Sequence, residues 1–339
     1  MTALTATPPV FLHSLSDRHG NPAALLLDCP DADSGAGLPV AILGALAGGS
    51  MPCYYRAGLA DAVAAVLDQA GWCALAPDKL LHAASALPAE LAPGVQWIDG
   101  AWFLAPPPKP VGAQVASRAL ALQLVQLVAA DADTHEIEAL LRQDPTLSYH
   151  LLKLVNSLSA GMGASGRRVT SFSQAILILG RSQLRRWLNL MLFSSREGDR
   201  RSPMLLARVS VRARAMELLA HDTGLNKTQQ EMAFMVGMFS LLGVLFGVDL
   251  RDVLRPLTIS DAVQQALLQQ QGELGQLLAV VEAAERDDHA ALAQQLAALP
   301  LDGDQFNRVM ADAYLWMQSV ALGKAGQAAH ASKTGARHA

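Results

Sequence analysis

Between Gly112 and about Leu322, apolar residues recur at three- and four-residue spacing, the period that buries one face of an α-helix. VGAQVASRALALQLVQLVAA carries this pattern, and Thr134 is placed to cap a short helix after it. In DPTLSYHLLKLVNS, Asp144 reads as an N-cap, with Pro145 at the first helical position, where its missing N–H costs nothing. Ser202 and Pro203 repeat that start signal before MLLARVSVRARAMELLA, while Gly180 and Gly224 are placed to stop helices. Met232 to Val248 is uncharged for 17 residues between Glu231 and Asp249. That is short of the roughly 20 residues a bilayer requires. Flanked by amphipathic helices, it reads as the buried central helix of a bundle of five or more.

The first 105 residues follow a different rhythm. VFLHSLSDRHGNPAALLLD sets two strand-like runs on either side of Asp17 to Asn21, in the manner of a hairpin, and helix-like ADAVAAVLDQA and strand-like WCALA follow. Pro106, Pro107, Pro108, Lys109 and Pro110 then form a stiff connector. The tail GKAGQAAHASKTGARHA has almost nothing to bury. The pattern predicts a mainly α chain: a small α/β unit at 1–105, a Pro-rich connector at 106–112, a helical domain at 113–322 and a disordered tail at 323–339.

Composition adds exclusions. Aromatics are only 5% of a chain that is 51% hydrophobic, so its core is built from Leu, Ala, Val and Ile, which favours helices. A net charge of -4 supplies no global field for nucleic acid or anionic membranes. Cys29, Cys53 and Cys73 form neither a CxxC nor a cluster with histidines, which argues for a reducing compartment and against structural zinc. MTALTATPPVFLHSL lacks a basic n-region ahead of an apolar core, so a cytoplasmic chain with no membrane attachment is expected.

Asp144-Pro145, Leu151-Leu152, Asn156-Ser157, Ser171 with Gln174-Ala175-Ile176, and Leu179-Gly180 occur in an order that resembles the HDOD family, the HD-related output domain of bacterial signalling proteins. The resemblance spans roughly 113–322 and implies an all-helical fold related to HD phosphohydrolases that acts through protein contacts. Asp144, Pro145, Asn156, Ser157, Ser171, Gln174 and Gly180 then read as fold-determining residues. In HD enzymes an adjacent His-Asp pair holds metal. In the matching segment, Gly237 to Gly243, Ser240 stands at the His position and Leu241 at the Asp position. An upstream family histidine would fall at Val209. The resemblance therefore implies no metal, no cofactor, no catalytic residues and no enzymatic activity. His221-Asp222 lies at a helix end, outside that segment, and Glu138-Ala139-Leu140 spells EAL within a predicted helix.

The N-terminal unit has a resemblance of its own. VFLHSLSDRHGNPAALLLD is similar to the opening hairpin of EAL domains, and VQWIDGAWFLAPPPKP to their closing strand. The family's ExLxR signature would fall on Ala24, Leu26 and Asp28. This implies a truncated, degenerate EAL remnant unable to hydrolyse cyclic di-GMP, since about 105 residues cannot form a barrel that needs about 250.

One charge feature stands apart. From Arg167 to Arg214 there are eleven arginines against Glu197 and Asp199. Arg181 and Arg185 share a helix face, as do Arg208 and Arg212, with Arg186 beside them and Arg167 and Arg168 in a Gly/Ser loop. These are candidate partner-binding residues, because guanidinium forks suit carboxylates and phosphates. The plainer reading is snorkelling surface arginines. The sequence thus predicts a non-catalytic signalling regulator that binds an acidic protein partner, with homodimerisation open. The alternative is a cyclic di-GMP effector without hydrolysis, a metal-dependent phosphohydrolase stands third, and nucleic acid is disfavoured because no helix-turn-helix signature stands out.

Overall fold

A computed structural model describes residues 7–29, 38–107 except 89, and 199–318 except 258, together with 132–141 and a few isolated positions between 120 and 193. The runs flanking Asp17 form antiparallel strands β1 (Phe11–Ser16) and β2 (Pro22–Asp28). Asp17 fixes the turn by accepting the backbone N–H groups of His19 and Asn21 at 2.8 and 2.9 Å. Then come α1 (Val40–Ala47), β3 (Cys53–Arg56), α2 (Asp61–Gln69), β4 (Cys73–Leu75), β5 (Leu80–His82) and β6 (Trp97–Asp99).

The strands form one mixed sheet in the order β4-β3-β2-β1-β6-β5, with β1 antiparallel to both its neighbours and the remaining pairs parallel. The edge strands β4 and β5 are joined by residues 76–79 alone. A chain that short spans at most about 18 Å from Leu75 to Leu80, whereas six flat strands would separate the edges by about 24 Å. The sheet must curl, and it forms a half-barrel. One face packs Leu25, Leu27, Cys53 and Tyr55 on α1 and α2, and the inner face gathers Leu15, Ala24, Leu26 and Leu75. The expectation of a mainly α chain with a small α/β unit is corrected here. Strands β4, β5 and β6 have three residues each, too few for an alternating pattern to register in sequence.

The second part is helical. It comprises α3 (Thr134–Leu141), which contains the Glu138-Ala139-Leu140 triplet, then α4 (Ser202–Asp222), α5 (Lys227–Phe239), α6 (Leu242–Phe246), α7 (Leu250–Leu254), α8 (Asp261–Gln269), α9 (Gly272–Glu285), α10 (His289–Ala297) and α11 over 303–318. Pro203 lies in the first turn of α4 as expected, but Arg201 is the N-cap and the Ser202 hydroxyl is buried without a partner. The Met232–Val248 stretch is not one continuous helix, because it breaks at Ser240–Leu241 between α5 and α6. The more deeply enclosed helix is α4, buried on nearly every side from Met204 to Ala220. Gly237 of α5 allows the close approach of the two, since a Cβ there would lie 2.6 Å from Ala213 Cα on α4.

Half-barrel and helices share one hydrophobic core. Val10 donates its backbone N–H to Asn307 Oδ1 at 2.8 Å, and Asn307 Nδ2 returns a bond to the Pro8 carbonyl at 2.9 Å. The Tyr314 hydroxyl donates to the Leu12 carbonyl, and the Phe11 and His289 rings lie 4.1 Å apart. Strand β1 is thereby fixed against α10 and α11, which sets the half-barrel over the bundle.

Candidate functional site

Parallel strands deliver their carboxyl ends to a single rim. In this sheet Asp28 ends β2, Arg56 ends β3, Leu75 ends β4, His82 ends β5 and Asp99 ends β6. The rim faces Arg208 and Arg212 of α4 and, across from them, Glu282 and Glu285 of α9 with Arg286 and Asp287 beyond its end. Between them lies a cleft of about 850 Å³, with apolar sides from Leu26, Leu75, Leu80 and Leu104.

His82 and Asp99 are register partners on adjacent strands, and His82 Nδ1 lies 2.9 Å from Asp99 Oδ1. The imidazole is 71% exposed, while the carboxylate is only 10% exposed, so the acid is fixed and the ring is accessible. Gly100 holds the strand end close, because at its φ of +96° a Cβ would lie 2.4 Å from the Ala83 carbonyl oxygen and 3.1 Å from His82 Cε1. Arg56 donates Nε to Asp28 Oδ2 at 2.8 Å and reaches Asp99 Oδ2 with Nη2 at 3.7 Å. Across the cleft His13 Nε2 lies 2.9 Å from Asp287 Oδ1, a close contact that joins β1 to the α9–α10 link. Burial alone would raise the Asp287 carboxyl; the hydrogen bond and charge of His13, with Arg56 and His289, override it and hold it below the usual carboxylate range.

A buried ion network forms the floor. Arg212, with its side chain 7% exposed, donates Nε to Glu285 Oε1 at 3.0 Å, Nη2 to Glu285 Oε2, and Nη1 to Ser240 Oγ at 2.8 Å. Arg208 reaches Glu285 Oε2 at 3.3 Å and stacks over the Phe103 ring. Burial would raise the Glu285 carboxyl, but Arg212 and then Arg208 keep it below the carboxylate range. A second network sits apart from the cleft, where Arg186 grips Glu217 with both Nη atoms at 2.9 and 2.6 Å and Arg214 adds a third bond at 2.7 Å.

The predicted site residues divide accordingly. Arg208 and Arg212 do share a helix face, but that face turns inward to Glu282 and Glu285, and Arg186 is engaged by Glu217. Arg167, Arg168, Arg181 and Arg185, with Asp144, Pro145, Asn156, Ser157, Ser171, Gln174 and Gly180, lie outside the described residues. At the dyad positions, Ser240 donates to the Gly237 carbonyl at 2.7 Å and accepts from Arg212, while Leu241 is buried in the core. A committed hydroxyl and a hydrocarbon do not fit a metal ion, and among the described residues no group of three or more His, Cys, Asp or Glu is placed to hold one. His221 and Asp222 bond to each other at 2.8 Å on the surface. Sequence reasoning missed His13, Arg56, His82 and Asp99. Each comes from a different strand: the β5–β6 register pairs His82 with Asp99, and the curl of the sheet brings Arg56 of β3 within reach of Asp99.

A helical bundle closes over the carboxyl rim of a curled sheet, and its helices α4 and α9 furnish the floor of the cleft. Residues 115–299 match the HDOD domain, more than half of the chain, and the chain belongs to that family. It is 32% identical over 203 residues to the cyclic di-GMP phosphodiesterase CdgJ of Vibrio cholerae serotype O1, covering 59% of this chain and 46% of that protein. It is 31% identical over 150 residues to the uncharacterized protein YuxH of Bacillus subtilis strain 168, covering 44% of this chain and 36% of that protein. The matches span less than half the length of these curated relatives. A solved structure from Shewanella amazonensis SB2B, named "Putative phosphohydrolase", covers 61% of this chain and 92% of its own at 18% identity and a TM-score of 0.41, a level at which neither fold nor activity carries over.

The first of these relatives corrects the functional expectation. The expectations of a non-catalytic regulator and of no enzymatic activity rest on Ser240, Leu241 and Val209 in the bundle and on Ala24, Leu26 and Asp28 in the half-barrel. A relative named as a phosphodiesterase over 203 aligned residues overturns them. The physical reason is that ligands missing from known motif positions say nothing about ionisable groups elsewhere, and the rim of the half-barrel brings His82, Asp99 and Arg56 together.

Proposed function

We propose that the chain is a phosphodiester hydrolase of cyclic dinucleotide signalling, with cyclic di-GMP as substrate and the cleft between half-barrel and bundle as its site. The His82–Asp99 pair at the strand rim, beside Arg56, carries this reading. The relative named as a cyclic di-GMP phosphodiesterase supports the substrate, and the cleft volume of about 850 Å³ suits a ligand of that size. Asp99 holds Nδ1, which leaves Nε2 of His82 to take a proton from water. That water attacks phosphorus, the bond from phosphorus to the 3′ oxygen breaks, the leaving oxygen takes a proton from solvent, and a linear dinucleotide results. Arg56, and Arg286 at the opposite wall, offset the charge that develops on the phosphoryl oxygens.

In this reading the half-barrel is a degenerate EAL unit. Its support is that β1 pairs with both β2 and β6, so the opening hairpin and the closing strand are neighbours. Ala24 and Leu26, at signature positions, are fully buried on the inner face, and Asp28 pairs with Arg56. Catalysis therefore falls to groups other than that signature. Chromatography of cyclic di-GMP incubated with the full chain tests the proposal. Linear product is expected, with a loss of about 10²- to 10⁴-fold in His82→Asn, the range a positioned general base supplies. No product from the unaltered chain, at concentrations where ligand is bound, contradicts it.

A further inference from the structure

Four carboxylates line the cleft, Asp99, Glu282, Glu285 and Asp287, and the first three are spent inside the protein. His82 and Arg56 hold Asp99, and Arg212 takes both oxygens of Glu285 with Arg208 beside it. Gln270 at 2.7 Å, Arg212 at 3.4 Å and Arg286 at 3.7 Å surround Glu282. Asp287 is different. Its Oδ1 lies 2.9 Å from His13 Nε2, while Oδ2 accepts no hydrogen bond from any described residue, and its side chain is 50% exposed on the cleft wall. Burial pushes this carboxyl up, but His13, Arg56 and His289 hold it below the usual range, so it is an anion near neutral pH.

We infer that Asp287 binds the Watson–Crick edge of a guanine base and makes the cleft selective for guanine over adenine dinucleotides. The inference rests on the phosphodiester reading of the cleft. Guanine carries two adjacent donors on that edge, N1–H and the 2-amino group, and an ionised carboxylate is purely an acceptor. Adenine places an acceptor, N1, beside its 6-amino donor, so one of its two contacts with the carboxylate is repulsive. The position of Asp287 suits a base contact. It lies on the helical side, beyond the end of α9, across from the strand rim where Arg56 and His82 meet the phosphate in that reading. The charge of Arg56 acts on the Asp287 carboxyl, so the phosphate and base contacts adjoin. Leu26, Leu75, Leu80 and Leu104 supply apolar sides for the flat faces of a base. Asp287 holds this place at a φ of +55°, a left-handed conformation that glycine and asparagine also adopt readily, so either can replace it with the backbone kept.

Calorimetric titration of the full chain carrying His82→Asn, which keeps the ligands intact, compares cyclic di-GMP with its inosine counterpart, a molecule that lacks only the 2-amino groups. Loss of a hydrogen bond to a charged acceptor should weaken binding of the inosine ligand roughly 10- to 100-fold, and cyclic di-AMP should bind more weakly still. Adding Asp287→Gly removes the acceptor, and the gap between the guanine and inosine ligands should close to about twofold or less, with Asp287→Asn in between because a neutral amide oxygen is a weaker acceptor. Each gap is a ratio measured on one variant, so any loss of folded protein cancels. Equal affinity for the guanine and inosine ligands before Asp287 is changed, or a gap that persists in Asp287→Gly, overturns the inference and leaves the phosphodiester reading standing. No binding of any of the three ligands at high micromolar concentration overturns both.

Discussion

Replacing Arg212 by alanine probes whether the floor of the cleft is held by buried charge. The side chain is 7% exposed and gives two bonds to Glu285, itself 10% exposed, and one to Ser240. Its removal leaves Glu285 with Arg208 alone at 3.3 Å and takes a donor from the Ser240 hydroxyl. Breaking a buried pair from one side costs about 3 to 5 kcal/mol. The retained Arg208 places this case at the lower end, about 3 kcal/mol. For a domain of this size, 1 kcal/mol shifts Tm by roughly 2–4 °C, so scanning calorimetry should show a fall of about 6–12 °C. The double variant Arg212→Met with Glu285→Leu removes both charges, and it should lose about 2 kcal/mol less than the two single losses summed. A fall under about 2 °C for Arg212→Ala, or strict additivity, would refute the reasoning, since either means that the network is solvated rather than buried.

Three further outcomes follow from the same geometry. Acid should unfold the chain early: Glu285, Glu217 and Asp287 have carboxyl groups depressed in the fold relative to unfolded values of 4.5, 4.5 and 3.8, so their stabilisation is full above those values and lost as pH falls through the lower folded ones. Unfolding monitored by circular dichroism should therefore show stability level from pH 7 to about 5 and declining below, with a weaker decline in Glu285→Gln. Gly237→Ala drives a methyl against the α4 backbone, 2.6 Å from Ala213 Cα, and should cost about 1–3 kcal/mol in urea unfolding. Gly100→Ala displaces the Ala83 carbonyl and crowds His82 Cε1, so turnover should fall at least tenfold while Tm drops by only a few degrees, as measured by product chromatography beside calorimetry.

Legibility in the sequence depended on run length. The hairpin of β1 and β2 was readable because six- and seven-residue apolar runs flank an Asp-to-Asn turn, and the family was readable from spaced motifs in the helical part. The half-barrel was not, since β4, β5 and β6 are three-residue strands, and the curl follows from the short link between opposite edges. The arginine run was visible as composition, yet its effect depends on Glu282 and Glu285, about seventy residues further along, which convert Arg208 and Arg212 from a surface into a floor. His82 and Asp99 lie 17 residues apart, and only the β5–β6 register makes them partners. The apolar Met232–Val248 stretch concealed its break, because Ser240 satisfies itself on the Gly237 carbonyl without any polar flank to mark the turn.

The central claim is that chemistry resides at the rim of the half-barrel rather than at the serine and leucine of the bundle. A crystal structure of the full chain with a phosphorothioate analogue of cyclic di-GMP tests it most directly. The ligand is expected between the strand rim and α9, with one phosphodiester within hydrogen-bonding reach of His82 Nε2 and Arg56. A ligand seated at Ser240, at His221-Asp222, or anywhere outside that cleft would contradict it.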